Sequence, residues 1–221
     1  MSRNTARFTL VLLAASSLVS GTIQNEECQP PPYEEDECNF AHQNASEAVK
    51  IDGKIYVMSQ NFNSTLPPLC DSAERVASIN DTYFIFTLAA VLPYNDTYVV
   101  KFNTSFVLSK TGNHTDYNAM TYQYETRQPA KLRKLMYMNE EKSCLIFIDD
   151  RNSTTEPARC QLLQPAQYAD QNVTADCQQV YERYCPGPRK TVYFPWCKNL
   201  TEVSIYDFLK SQATTAAPQA C

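Results

Sequence analysis

The sequence predicts a mostly β protein: an eight-stranded antiparallel barrel with a short N-terminal helix and a C-terminal helix packed on the barrel. Eight strand-length segments follow one another between residues 54 and 164. Several of them alternate apolar with polar residues, and no long helical pattern separates them. Strands joined by short turns favour an antiparallel meander, and eight of them can close into a barrel just wide enough for one small ligand.

The predicted strands are rich in β-branched and aromatic residues and are separated by turn dipeptides such as Asn-Asp and Gly-Asn. In one of them Met120, Tyr122 and Tyr124 alternate with polar residues, which is typical of a strand with one buried face. Only four glycines are present, so Asn and Asp are expected at turn positions with positive φ. The eight segments are Lys54–Gln60, Ser72–Ile79, Thr82–Leu92, Thr97–Leu108, Ala119–Arg127, Leu132–Met138, Cys144–Asp149 and Arg159–Gln164.

Helical patterns flank the strands on both sides. Asn44–Lys50 has a small apolar face and predicts a short helix before the first strand. Ala175–Tyr184 carries apolar residues at 3-4-3 spacing, with Asp176 as a possible cap, and the Cys-Pro-Gly-Pro that follows must end this second helix. A third short amphipathic helix is predicted over Thr201–Lys210.

The chain divides into four predicted regions. Residues 1–21 combine two arginines with an apolar run too short to cross a bilayer, and they predict a secretory signal peptide. Residues 22–40 form an acidic, proline-bearing arm that is expected to be solvated. Residues 41–198 form the barrel with its C-terminal helix, and residues 199–221 form a tail whose low-complexity end, from residue 214, is expected to be disordered.

Composition restricts the classes of function. The chain has 19 basic and 24 acidic residues and no basic run, so nucleic acid is not expected as a partner. No segment after the signal peptide is apolar enough to cross a membrane, so the mature protein is expected to be soluble, without a membrane partner. All nine cysteines lie beyond the signal peptide, which indicates disulfides in an oxidising compartment.

Acceptor triplets for N-glycosylation are unusually frequent. Nine Asn-x-Ser/Thr triplets are present, whereas about two are expected by chance from the composition. Shared turn chemistry of Asn with Ser and Thr explains some of them, but glycosylation better explains nine. The predicted acceptors are Asn44, Asn63, Asn80, Asn95, Asn103, Asn113, Asn152, Asn172 and Asn199.

Motifs for catalysis are missing from the sequence. It contains no glycine-rich phosphate loop, no G-x-S-x-G, no H-E-x-x-H and no C-x-x-C. The only two histidines, His42 and His114, are expected on the surface or in structural roles, and Asp149-Asp150 is expected to be a solvated turn. A binding protein is therefore predicted rather than an enzyme, and neither a cofactor nor a metal ion is expected.

A set of short motifs in a fixed order points to one family. The motifs are Ala41-His42-Gln43, Ile55-Tyr56-Val57-Met58, Cys70, Tyr124-Glu125-Thr126, Cys144, Cys160-Gln161-Leu162-Leu163, the helix Asp176–Tyr184 and the segment from Val192-Tyr193 to Cys197. In these residues the chain resembles the salivary lipocalins of ticks, the group that includes the histamine-binding proteins. The resemblance covers about residues 38 to 198.

The family pattern implies two disulfides, Cys70–Cys197 and Cys144–Cys177. Cys160 and Cys185 are additional cysteines, on the last strand and at the end of the helix, and we expect them to pair with each other. We expect Cys28 to pair with Cys38 and Cys221 to remain unpaired. The sequence alone does not fix this pairing, since even eight cysteines allow 105 connectivities.

The resemblance also implies a ligand inside the barrel. Amine-binding members of the family carry Glu-Leu-Trp on the last strand, whereas this chain has Gln161-Leu162-Leu163. Because a neutral amide cannot form a charge-assisted bond to an ammonium group, a neutral or lipid-like ligand is favoured. The predicted ligand-binding residues are Tyr56, Met58, Phe84, Phe86, Tyr122, Tyr124 and Gln161, with further apolar surface from Leu88, Tyr98, Val100 and Phe102.

Two functions are compatible with these features. The first is a lipocalin secreted in saliva that sequesters a small host mediator, which suppresses host inflammation or haemostasis. Family precedent favours a biogenic amine such as histamine, and Gln161 favours a neutral or lipid mediator. The alternative is an immune modulator that binds a host protein, such as a complement component, through its outer surface.

Overall fold

Eight antiparallel strands close into a barrel in the computed structural model, which describes residues 31–64, 67–92, 97–126, 128–151 and 155–215. Each strand pairs with the next along the chain, and the last pairs with the first, so the ring closes. The strands are β1 (Lys54–Gln60), β2 (Ser72–Ser78), β3 (Tyr83–Ala90), β4 (Tyr98–Ser109), β5 (Ala119–Tyr122), β6 (Lys131–Met138), β7 (Leu145–Asp149) and β8 (Cys160–Pro165). The predicted fold class is confirmed.

A short helix, α1 (Ala45–Ala48), covers one end of the barrel. It begins at Asn44, whose side-chain oxygen accepts a hydrogen bond of 3.2 Å from the backbone N–H of Glu47. Ala45 is fully buried, and its N–H donates to the carbonyl of Tyr117 at 2.7 Å. Ala48 and Val49 pack into the apolar cluster of the barrel interior, so this end is closed.

The described part of the N-terminal arm, residues 31–40, packs against β6, which corrects the expectation that this part is solvated. It forms two 3-10 turns, Tyr33–Glu35 and Glu37–His42. Glu34 is fully buried, and both of its carboxylate oxygens accept hydrogen bonds from Arg151, at 2.6 and 3.0 Å. A buried charge needs such a partner, and here the bidentate guanidinium supplies it.

His114 has a structural role beside this arm. It is buried and stacks on Phe40 with ring centroids 3.6 Å apart. Its Nδ1 lies 2.9 Å from the carbonyl of Thr111 and its Nε2 lies 2.7 Å from the side-chain oxygen of Gln43. The ring therefore joins the β4–β5 connection to the arm.

A second helix, α2 (Ala175–Tyr184), packs outside the barrel against β6 and β7. It occupies the range that the sequence predicts. The hydroxyl of Tyr137 on β6 donates to Asp176 at 2.7 Å. Two disulfides, Cys144–Cys177 and Cys160–Cys185, tie the two ends of the helix to the barrel.

The structure contains the three disulfides expected for six of the cysteines. Besides the two at α2, Cys70–Cys197 joins residues 127 positions apart and fixes the start of β2 to the C-terminal region. Cys38 is exposed and forms no disulfide with another described residue. Cys28 and Cys221 lie outside the described residues, so the pairing of Cys28 with Cys38 stays a prediction.

The chain after Cys197 differs from the prediction of one helix over Thr201–Lys210. Beyond a two-residue strand, β9 (Lys190–Thr191), the chain forms β10 (Thr201–Ser204) and only then α3 (Ile205–Thr215). β10 pairs in parallel with Tyr98–Lys101 of β4. This edge of β4 is available because β5 pairs only with Val107–Ser109 at the other end of the strand. Helix α3 also reaches into the region expected to be disordered.

Most predicted glycosylation acceptors within the described residues are exposed. Asn44 is half-buried and caps α1. Glycosylation stays a prediction, and the signal peptide, Asn95 and Asn152 lie outside the described residues. The exposed acceptors are Asn63, Asn80, Asn103, Asn113, Asn172 and Asn199.

No helix in the described part of the chain has the length and apolar character needed to cross a membrane.

Candidate ligand-binding cavity

The barrel encloses a cavity of about 480 Å³. Its wall is mostly apolar because alternate residues of the strands point inward. The volume lies within the range of pockets that hold small organic ligands. Apolar side chains that line it from the strands are Ile55, Val57, Phe86, Leu88, Val100, Phe102, Phe106, Met120, Leu145, Phe147 and Leu163.

Three stacked rings form one side of the cavity. Phe86 of β3 stacks on Phe106 of β4 with centroids 4.3 Å apart, and Phe106 stacks on Tyr122 of β5 at 4.0 Å. All three residues are buried, with exposed fractions of 8% or less. The stack gives a flat apolar surface against which a ligand can pack.

A polar corner interrupts the apolar wall. The hydroxyl of Tyr124 donates to Asp71 at 2.6 Å and accepts from the amide nitrogen of Gln161 at 3.2 Å. The amide oxygen of Gln161 accepts from Arg133 at 2.5 Å, and the same arginine nitrogen donates to Tyr122 at 3.0 Å. The four residues Asp71, Tyr124, Gln161 and Arg133 therefore form one hydrogen-bonded chain along the cavity, which we call the polar corner.

Charge in the polar corner is only partly balanced. Arg133 Nε lies 2.9 Å from Asp149 Oδ1, so this arginine has an anionic partner. Asp149, expected in a solvated turn, is therefore half-buried and ion-paired. Asp71 has no cationic partner among the described residues, and burial raises the pKa of its carboxyl to about 6. Burial, followed by the nearby Asp71, also raises the pKa of Tyr124 well above its usual value, which keeps its hydroxyl protonated.

Two atoms of the polar corner have neither a hydrogen-bond partner nor an ion-pair partner among the described residues. They are Asp71 Oδ1, an acceptor, and Arg133 Nη2, a donor. Asp71 is 7% exposed and Arg133 is 5% exposed, and both residues line the cavity. Buried polar atoms are nearly always hydrogen-bonded, so these two are the positions where a ligand head group can bind.

The structure brings only some of the predicted ligand-binding residues to the cavity. Phe86, Tyr122, Tyr124 and Gln161 line it, as do the additional apolar residues Leu88, Val100 and Phe102. Whether they contact a ligand stays a prediction.

The prediction that Tyr56 and Met58 bind the ligand is wrong, because both lie on the outer face of β1. Ile55 and Val57 line the cavity, so the residues that alternate with them point away from it. Tyr56 packs against Tyr193 outside the barrel, with centroids 4.8 Å apart.

The prediction also assigned two further aromatic residues to the ligand-binding surface incorrectly. Phe84 belongs to the interior apolar cluster but lies nearer the closed end than Phe86 and does not line the cavity. Tyr98, at the start of β4, is half-buried and faces Phe208 of α3 with centroids 6.3 Å apart. Neither is therefore a candidate ligand contact.

Sequence reasoning missed the two charged residues of the polar corner. Arg133 lies in β6 at the same parity as the buried Leu135, and a basic residue at an inward position is a usable signal. Asp71 has a weaker signal, since it lies in the connection before β2. Its position depends on Cys70, which has a positive φ of 56° and is bonded to Cys197.

Comparison with known proteins gives one family and several structures of similar fold. A family described as tick histamine binding protein matches residues 33–199. Insecticyanin from the tobacco hornworm Manduca sexta has a TM-score of 0.50 at 10% identity, covering 74% of this chain and 90% of its own. Japanin from Rhipicephalus appendiculatus, in a structure with bound cholesterol, has a TM-score of 0.47 at 12% identity, covering 65% and 93%. Lobster apocrustacyanin A1 has a TM-score of 0.46 at 16% identity, covering 72% and 83%. No sequence among curated proteins matches the chain.

Proposed function

Because the chain belongs to the tick histamine-binding protein family, we propose that it is a secreted lipocalin that captures a small host mediator inside its barrel. The observation that carries this proposal is the mostly apolar cavity of about 480 Å³ with its polar corner. Such a protein acts as a stoichiometric trap in saliva, so it needs no catalytic residues. Removing the free mediator suppresses the host inflammatory or haemostatic response.

The lining favours a mediator with an apolar body and one polar head group. An apolar ligand that buries roughly 300 Å² of surface gains roughly 7 kcal/mol, before the entropic cost of association. A hydroxyl head can donate to Asp71 Oδ1 or accept from Arg133 Nη2, each of which lacks a hydrogen-bond partner among the described residues. A lipid mediator that carries a hydroxyl group is therefore the first candidate.

A biogenic amine is the second candidate, and Asp71 is the reason. The prediction of a neutral ligand relied on Gln161 replacing an acid on the last strand, but Asp71 brings a carboxylate into the same corner. An ammonium group bound at Asp71 Oδ1 gains a charge-assisted hydrogen bond, and the rings of Tyr122 and Tyr124 can add a cation–π contact of about 0.5–2 kcal/mol. The positive charge of Arg133 in the same corner acts against this second candidate.

Calorimetric titration of the glycosylated protein with leukotriene B4, histamine and serotonin tests the proposal. We expect submicromolar binding of the lipid, with affinity lowered about tenfold or more in Arg133→Gln, in which the free donor is lost. Tyr56→Phe, on the outer face of the barrel, is the matched control and should bind as the unmodified protein does.

Each outcome separates the candidates. Submicromolar histamine or serotonin binding that disappears in Asp71→Asn would favour the amine over the lipid. The proposal of a mediator trap is wrong if none of the three ligands binds to the folded protein and the cavity holds no ligand retained from the host cell. Native mass spectrometry of the purified protein reports any retained ligand.

A further inference from the structure

We infer that the C-terminal segment formed by β10 and α3 is one wall of the ligand site and controls how fast a ligand leaves. This inference rests on the proposed function, because it concerns the same cavity. The segment spans Thr201–Thr215, beyond residues 33–199 that match the family.

The barrel leaves room for this segment on one side. β4 has twelve residues, but β5 has only four and pairs with β4 at Val107–Ser109 alone. The edge of β4 at Tyr98–Lys101 would expose unpaired backbone groups without another strand. β10 pairs with these four residues, so it fills the gap that the short β5 leaves in the wall.

Ion pairs hold β10 in place. The carboxylate of Glu202 accepts a hydrogen bond from Lys101 of β4 at 2.7 Å and another from Lys54 of β1. The side-chain hydrogen bonds from Lys101 and Lys54 lower the pKa of Glu202, so it stays ionised at neutral pH. The strand is thus fixed by a backbone ladder and by charge, before the helix begins.

Helix α3 presents one apolar face to the cavity. Ile205, Phe208 and Leu209 have the i, i+3, i+4 spacing of a single helix face, and all three line the cavity. Tyr206 lies off this face and is 81% exposed. Of the strands and helices in the described residues, β4 and β10 pack against it most.

This arrangement combines a fixed strand with a weakly held helix. None of the residues 205–212 is buried, so α3 opens at a lower free-energy cost than the barrel strands do. A ligand that touches Phe208 and Leu209 holds the helix closed, and the helix in turn keeps water from the apolar part of the ligand. The segment therefore lengthens the residence time of an apolar ligand and favours ligands long enough to reach it.

Four forms of the protein test this inference. They are the full mature chain, the chain truncated after Leu200, the double variant Phe208→Ala/Leu209→Ala and the control Tyr206→Ala. The probe is cis-parinaric acid, a fluorescent fatty acid, whose dissociation is followed by stopped-flow displacement. We expect dissociation about tenfold faster or more for the truncation and the double variant, and no change for the control. Circular dichroism checks that each form is folded.

A second measurement needs no ligand and separates the inference from the proposed function. Hydroxyl-radical footprinting with mass spectrometry reports the oxidation rate of Met120, which lines the cavity, against Met136, which is buried elsewhere. Truncation should speed the oxidation of Met120 and leave Met136 unchanged. If the probe fails to bind the full chain while Met120 responds in this way, only the proposed function fails. Equal Met120 rates with and without the segment, or equal probe dissociation rates, would overturn the inference.

Discussion

The substitution Asp71→Asn is predicted to stabilise the free protein at neutral pH. Asp71 is 7% exposed and has no cationic partner among the described residues, and burial raises the pKa of its carboxyl from 3.8 to about 6. An acid whose pKa is raised on folding binds its proton more tightly in the folded state. The folded protein therefore loses stability as the pH rises from about 4 to about 6, and above that range the cost stays constant.

The magnitude follows from the size of the shift. A change of one pKa unit corresponds to 1.36 kcal/mol, so a shift of roughly two units costs the folded protein about 3 kcal/mol at pH 7.5. An asparagine removes this cost, and its side-chain oxygen can still accept the hydrogen bond from Tyr124. We expect a gain of up to about 3 kcal/mol at pH 7.5 and almost none at pH 4.

Urea unfolding with the disulfides intact, followed by circular dichroism at pH 4, 5, 6 and 7.5, measures this difference. Asp170→Asn is the matched control, because Lys198 and Tyr193 hydrogen-bond to Asp170 and lower the pKa of its exposed carboxyl. It should not stabilise the protein at any of these pH values. A gain for Asp71→Asn that is the same at pH 4 and pH 7.5, or a loss at pH 7.5, would refute the argument that an ionised, unpaired carboxylate is buried in the cavity.

Three further substitutions test other parts of the structure, each by urea unfolding at pH 7.5. Tyr124→Phe should destabilise the protein by about 1–3 kcal/mol, since it leaves the cavity carboxylate without its donor; an unchanged midpoint would contradict that hydrogen bond. Glu34→Gln should cost about 3 kcal/mol because Arg151 loses its buried anionic partner, and a cost below the error would mean that the N-terminal arm is not docked. Cys160→Ala/Cys185→Ala removes a crosslink that spans 25 positions and should cost about 3 kcal/mol. A variant as stable as the unmodified protein under oxidising conditions would speak against this disulfide.

Local patterns explain why much of the fold could be predicted. Helix α2 occupies the predicted residues Ala175–Tyr184 because its apolar spacing and the Cys-Pro-Gly-Pro after it are both local signals. β1 likewise has its predicted bounds, Lys54–Gln60. The predicted ends of strands were less accurate where contacts of the following loop decide them. β5 ends at Tyr122 because the side chain of Gln123 donates to the carbonyls of Thr126 and Gln128 and forms a turn.

Which alternate residues of β1 point into the barrel could not be predicted from the sequence. Ile55, Tyr56, Val57 and Met58 are all apolar, so neither alternate set has a clear preference for the interior on sequence grounds. Pairing of β1 with β2 and β8 decides it and places Ile55 and Val57 inside. For this reason half of a correctly predicted strand was assigned to the wrong face.

The amino-acid order alone determined the strands, the main helix and the loss of the acid at Gln161, since these depend on neighbouring residues or on a single position. Only the folded chain decided that Asp71 and Arg133 share a cavity with Gln161 and that α3 covers its side. These residues are far apart in the sequence, and they meet because barrel closure, the Cys70–Cys197 disulfide and the open edge of β4 bring them together.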